Sequence, residues 1–348
     1  MSPLPPALLR QLTQAPAAQA WPAAVAHALA VCSRPLEAAH AVGEVVRRER
    51  ELAALDNALA GCAWELWQEL PANVPSTAQR LVQWWAQPYG GKAVLLLDGL
   101  SLRELPWLLQ GAAQHGFTLH NVAATACERP GNTQPFAKAL GFGSRSALQH
   151  NHAGAAHKLQ PARTECTALP WADCAALLDA TPDWVFWHEW PDSQLHDGAG
   201  AGQGLDLLAR HAAEQLTSAA FWAFVRKLAQ GRRLVITSDH GYAATGYFPD
   251  ADGPVAEYLK RRFGSSRSSR SSVAAGAVGD AFAHGSADES SPFLPPVALQ
   301  TSGAHGLHHQ ALGRRKWRSP GGYPTLAHGG LTLLEVLSPF VELSVQPD

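Results

Sequence analysis

Six side chains in this sequence have the types and positions of metal ligands. Asp98 ends the apolar run in "KAVLLLDG", and Asp239 with His240 ends another in "RRLVITSDHGY". Asp192 and His196 stand four residues apart in "DSQLH", just after "DWVFWHEW", and His328 precedes a glycine pair in "AHGGL". Carboxylate oxygens and imidazole nitrogens without thiolate suit zinc, manganese or magnesium, and the imidazole content favours zinc or manganese. Each piece alone has a plainer reading. Asp98-Gly99 fits a turn, Asp192 and His196 fit an ion pair across one helical turn, and His328 fits a glycine turn.

What would bring the six together is an open α/β sheet, because ligands of such sheets bind beyond the carboxyl ends of the strands. From Gly91 the chain alternates apolar strand patterns with helical ones. Strands are expected in "KAVLLLDG", "FTLHNVAATA", "DWVFWHEW" and "RLVITSD". Helices are expected in "SLRELPWLLQGAAQHG", "QPFAKALG", "WADCAALLDA" and the long "LDLLARHAAEQLTSAAFWAFVRKLAQG", closed by Gly231. The end, "HGGLTLLEVLSPFVEL", reads as a short amphipathic helix followed by a last strand. This alternation predicts a mostly parallel sheet flanked by helices. Residues 1–88, rich in Ala, Leu, Glu and Gln, read as an N-terminal helical region whose end is marked by Pro71, Pro75 and Pro88. Residues 89–348 then form the α/β domain, and 264–292, rich in small residues, read as a flexible insertion.

Composition narrows the setting. The 348 residues suffice for a substantial core, with 46% hydrophobic and 16% charged residues. A net charge of −2 gives no general attraction to polyanions, so any nucleic-acid contact needs a local patch. Five cysteines without a C-x-x-C spacing argue against a disulfide framework or a thiolate zinc site. With no secretory h-region and no apolar run of membrane length, a soluble cytoplasmic protein is expected, without membrane partners.

The order of the pieces is more specific than any one of them. Strand-Asp-Gly, a Pro-x-x-Thr element, Asp-x-x-x-His, strand-Ser-Asp-His-Gly and His-Gly-Gly together resemble the alkaline-phosphatase superfamily. "VITSDHGY" and "HGGLTLLEVLSPFV" look more narrowly like the PglZ-domain family, known from bacterial phage-resistance (BREX-type) systems and response regulators. The resemblance spans residues 92–345. It implies an alkaline-phosphatase-like fold and two divalent cations, Zn2+ first and Mn2+ second. Asp192, His196 and His328 match the ligands of one cation, and Asp98, Asp239 and His240 those of the other. The family's nucleophile slot falls on Thr133 in "RPGNTQPFAKALGF", where Gly131 replaces the first of two hydroxyl residues. Thr125 is the fallback, and Cys127 lacks the sulfatase pattern and reads as a buried bystander. Asn132 could donate to a phosphate oxygen or cap the helix. The implied activity is hydrolysis of phosphate esters, with nucleotides or oligonucleotides as substrates and other defence proteins as partners. A phosphomonoesterase and a metal-binding scaffold of a defence complex are the alternatives.

Two further stretches attract attention. "HGLHH", with His305, His308 and His309, reads as exposed loop histidines rather than ligands. "GRRKWRSP", 313–320, reads equally well as a solvated loop or as a nucleic-acid contact built on charge and stacking.

Overall fold

The computed structural model describes residues 3–197, 204–264, 268–273, 295–303 and 306–345. The chain opens with five helices: α1 (Pro6–Gln14), α2 (Ala17–Cys32), α3 (Ala41–Gly61), α4 (Leu66–Asn73) and α5 (Thr77–Trp85). The stretch "PLEAAHAVGEVVRRERELAALDNALAGCAWELWQEL", 35–70, which reads as one helical run, divides at Cys62–Glu65, and Pro71 lies inside α4 instead of ending it. Ser76 caps α5 through a capping box with Gln79.

The α/β part follows as β1 (Lys92–Leu97), α6 (Leu105–Gln114), β2 (Phe117–Ala126), α7 (Thr133–Ala139), β3 (Arg163–Thr167), α8 (Trp171–Ala176), β4 (Asp183–His188) and α9 (Asp192–Asp197). Next come α10 (Leu205–Leu216), α11 (Ala219–Ala229), β5 (Arg233–Thr237) and α12 (Gly253–Phe263). Strands β6 (Ser271–Val273), β7 (Ala298–Gly303) and β8 (Gly306–Ala311), helix α13 (Leu333–Val336) and β9 (Leu337–Val345) complete it.

The central sheet has the order β2-β9-β5-β1-β4-β3. β5, β1, β4 and β3 pair in parallel, whereas β9 runs antiparallel to both β5 and β2. The sheet is therefore mixed, with β9 as its one reversed strand. The continuous apolar runs of β1 and β5 suit strands covered on both faces. Ala93, Leu95 and Leu97 enter one apolar cluster and Val94 and Leu96 the other, so successive side chains serve opposite layers. The first cluster also holds Leu8, Trp21, Leu52 and Trp67, which puts α1 to α4 on that face. The second holds Leu81 and Trp84 of α5 together with Phe136 of α7.

Several local expectations need correction. The long helix after Leu205 breaks at Thr217, and Ser218 caps α11 by accepting from the Phe221 N–H. The last short helix, α13, is buried at all four positions and is not amphipathic. β3 lacks an apolar run, and the second sheet, β6-β8-β7, was not foreseen. β6 arises inside the stretch expected to be flexible, and Arg270 just before it is only 1% exposed. Most of that stretch, and all of 274–292, lies outside the described residues.

The helical region is tied to the sheet by charge as well as by apolar contact. Glu49 of α3, fully buried, accepts from Arg103 Nη2 at 2.6 Å and from Arg314 Nη1 at 2.5 Å. Burial alone would raise the carboxyl of Glu49, but the two guanidinium groups outweigh it and hold it below its ordinary value. Arg103 Nη1 donates onward to the carbonyl of Tyr242, two residues beyond His240. Removing one partner from such a group leaves buried charge uncompensated. Glu49→Gln is therefore expected to lower stability by about 3–5 kcal/mol in chemical denaturation. A change within about 0.5 kcal/mol, the usual range for surface substitutions, would show that the ion cluster does not brace the fold.

Candidate metal centre

The ligand candidates converge at the carboxyl ends of three adjacent strands. Asp98 follows β1, Asp239 and His240 follow β5, and Asp192 begins α9 four residues after β4. The backbone fixes their spacing: the Asp98 N–H donates to His188 O at 3.0 Å, and the Asp192 N–H donates to Asp98 O at 2.9 Å. Gly99 has φ +72°, and a Cβ there would stand 3.0 Å from Leu195 Cδ1 and 3.3 Å from Asp192 Cβ. Its N–H donates to Asp239 Oδ1 at 3.0 Å. Glycine thus permits both the turn and the close approach. Gly241 answers a similar demand, since a Cβ there would lie 2.2 Å from the carbonyl of Leu334.

Two triads result. Asp192, His196 and His328 form one and Asp98, Asp239 and His240 the other, and in each the potential donor atoms lie within 4.8 Å of one another. The His240 and His328 rings stack between them at 4.6 Å. Three buried atoms here meet no hydrogen-bond partner among the described residues: Asp192 Oδ1, Asp239 Oδ2 and His240 Nε2. His240 donates from Nδ1 to Gly241 O at 2.9 Å, so Nε2 is the nitrogen that faces the triad, 3.5 Å from Asp239 Oδ2. His328 Nδ1 likewise faces Asn132 Oδ1 at 2.9 Å and Gly131 O at 3.2 Å. A histidine that ligates through one nitrogen and donates from the other is the usual arrangement at metals. Orphaned lone pairs inside oxygen and nitrogen triads fit divalent cations.

Charge points the same way. Burial, then the neighbouring Asp239 and Asp192, pushes Asp98 well above the carboxylate range. For His240 burial opposes the charged ring, but Asp239, Asp192 and Asp98 outweigh it and push it up to about 9. Burial and the His240 charge bring His328 down to about 4. Burial would raise Asp192, yet its hydrogen bond with His196 and the nearby imidazoles hold it below its ordinary value.

Thr133 opens α7, and its hydroxyl donates to Asp98 Oδ1 at 3.2 Å, which places it against the second triad. Thr125 is buried within β2 and shares a 2.7 Å hydrogen bond with Thr77, away from both triads. Cys127 is buried, as expected, and burial pushes its thiol up. Asn132 makes no capping bond; its Oδ1 orients His328, and its Nδ2 lies 3.5 Å from Ser271 Oγ. His308 and His309 are 9% and 5% exposed on β8, not exposed in a loop, and belong to neither triad; His305 lies outside the described residues. In the basic run, Arg314 is bound to Glu49, Lys316 pairs with Asp250 at 3.7 Å and Trp317 is buried, leaving Arg318 exposed.

Sequence reasoning missed the groups that hold Asp98. Arg145 Nη1 donates to its Oδ2 at 2.5 Å, and Trp187 Nε1 donates to the same oxygen at 3.0 Å. Arg145 Nη2 also reaches Glu189 at 3.4 Å. A tryptophan inside a buried strand needs a partner for its N–H, which was a usable signal. Arg145 stands 47 positions from Asp98 and offered none.

No family model matches the chain, and no curated protein matches it. Among solved structures, murine ectonucleotide pyrophosphatase/phosphodiesterase 5 aligns at 13% identity with a TM-score of 0.44, covering 72% of this chain and 87% of that one. An inactive variant of the murine protein in complex with AMP aligns at 13% identity and TM-score 0.45 over the same shares. The human ectonucleotide pyrophosphatase/phosphodiesterase 5 gives 12% and 0.44, again over 72% and 87%. Likeness of that degree fixes no function. No helix among the described residues is long and apolar enough to cross a membrane.

Two expectations follow from the triads. In the metal-free protein His240, at about 9, carries a proton at neutral pH that a cation has to displace. Metal affinity should therefore fall by about tenfold per unit as pH drops from 9 to 7, read by chelator competition; an affinity independent of pH refutes the assignment of His240. Arg145→Met should weaken metal binding by about 10–100-fold in the same assay through loss of the Asp98 anchor. Unchanged binding would leave Arg145 without that role.

Proposed function

We propose that the chain is a two-metal hydrolase of phosphate esters, a phosphodiesterase acting on nucleotides or oligonucleotides with Thr133 as nucleophile. The observation that carries the reading is the Thr133 hydroxyl at 3.2 Å from Asp98 Oδ1, beside two triads with orphaned lone pairs. Asp192, His196 and His328 would hold one cation and Asp98, Asp239 and His240 the other. Cations there supply neutralisation of phosphoryl charge and a lowered pKa for the threonine hydroxyl.

The chain's own residues have separable tasks. Asp98 Oδ1 orients the Thr133 hydroxyl, while Arg145 and Trp187 hold the other oxygen and keep the carboxylate from rotating. Thr133 Oγ1 loses its proton and attacks phosphorus, and one ester oxygen leaves and takes up a proton from water. The resulting threonyl phosphodiester, which keeps the other ester group, is hydrolysed by water to a phosphomonoester and free Thr133. Asn132 and the Gly131 carbonyl hold the imidazole of His328 in one orientation. Membership of the PglZ-domain family, and with it a role in phage defence or signalling in the cytoplasm, rests on "VITSDHGY" and "HGGLTLLEVLSPFV".

Purified protein should contain about two equivalents of zinc or manganese, and a metal-free, fully folded protein sinks the mechanism. With both metals loaded, bis(p-nitrophenyl) phosphate should be turned over faster than p-nitrophenyl phosphate; the reverse preference would make it a phosphomonoesterase. Thr133→Ala should lower turnover at least about a thousandfold while metal content stays the same. Full activity in that variant removes Thr133 from the role of nucleophile.

A further inference from the structure

A second cavity, of about 720 Å³, is lined by none of the six candidate ligands. It lies where α4 and α5 face the segment leaving β2, and Leu70, Val74, Val82 and Ala126 give it apolar walls. Such a volume suits a small organic molecule. Its polar side centres on Arg129, with Lys158 further along the wall.

Arg129 is 8% exposed, and its Nη2 donates to the carbonyl oxygen of Trp67. Among the described residues no carboxylate pairs with it, and the Trp67 carbonyl is the one acceptor that the guanidinium meets. A guanidinium buried without a counter-charge is costly, and folds seldom retain one without a use. Burial brings Arg129 down to about 10, as expected of a cation short of a partner. Glu128, the acid on the wall, is itself pushed up to about 7 by burial, so it offsets the cations only in part.

We propose that this cavity is a second binding site, for a small organic anion whose phosphate, sulfate or carboxylate pairs with Arg129 and whose apolar body packs on Leu70, Val74 and Val82. The site is independent of the metals, yet Arg129 stands four positions before Thr133 on the same segment. Gly303, which lines the cavity too, approaches so closely that a Cβ there would lie 2.2 Å from the Arg129 carbonyl oxygen.

Isothermal titration calorimetry on the full chain with 1-naphthalenesulfonate tests this, with inorganic sulfate as the anion lacking an apolar body. Saturable binding of naphthalenesulfonate is expected, at least about tenfold tighter than sulfate and unchanged after metal removal by chelation. Arg129→Gln should weaken it by about tenfold or more. Val82→Trp, which fills the cavity and keeps the guanidinium, should do the same, and it decides the matter where Arg129→Gln loses its near-ultraviolet circular dichroism. The proposal is overturned by absence of saturable binding, by binding lost on chelation, by equal affinity for sulfate, or by binding indifferent to both substitutions.

Discussion

Three carboxylates and their partner imidazoles are packed where the sheet ends, and like charges in a dry setting repel strongly. Asp98 and Asp239 are 0% and 1% exposed and Asp192 is 8% exposed, so water screens them little. Among the described residues the one permanent cation that meets the group is Arg145, which touches one oxygen of Asp98. His240 responds by holding a proton far above its ordinary range. A cluster of this kind persists only if the surrounding structure overdetermines it, and it is relieved by positive charge placed at the orphaned atoms. The same imbalance that makes the site unfavourable to build makes it receptive to cations.

The overdetermination is visible on every side. Parallel strands β5, β1 and β4 fix three approach points, and backbone bonds from Asp98 and Asp192 lock two of them together. From the helical side, Glu49 and Arg103 hold the chain just past His240. Glu104 reinforces this by accepting from the Tyr242 hydroxyl at 2.6 Å. Next to this cluster Arg270 donates to Glu335 at 3.0 Å, and Glu335 receives the Gly330 N–H two residues after His328. The N-terminal helices and the segment before β6 therefore act as braces for the site.

This explains which parts could be read from the sequence. β1, β4 and β5 are local patterns, buried on both faces, so their apolar runs and the acids at their ends are legible in a few residues each. β3, "RTECT", sits at the sheet's edge with an exposed first residue, and its strand character comes from pairing with β4. Glu49–Arg103, Asp98–Arg145 and Arg270–Glu335 join residues 47 to 65 positions apart, and no local rule selects one partner over another. The histidines of "HGLHH" were misplaced for a related reason. β8 buries four successive residues, His308 and His309 among them, while β6 and β7 pair with its two edges, and neither of those strands announces itself by hydrophobicity.

The segment entering α7 shows how few residues can join the two triads. Gly131 and Asn132 present their carbonyl and amide oxygens to His328, while the next residue, Thr133, turns its hydroxyl to Asp98. Adjacent side chains in this turn thus address different triads, and the nucleophile candidate is held between them by its own neighbours. A hydroxyl at position 131, usual in the resembled family, would not be needed for that geometry, because the contact to His328 is made by the backbone oxygen. A Cβ at Gly131 would also stand 2.9 Å from Cys127 Sγ. The glycine and the buried thiol are therefore matched to each other, and the departure from the family pattern leaves the placement of Thr133 intact.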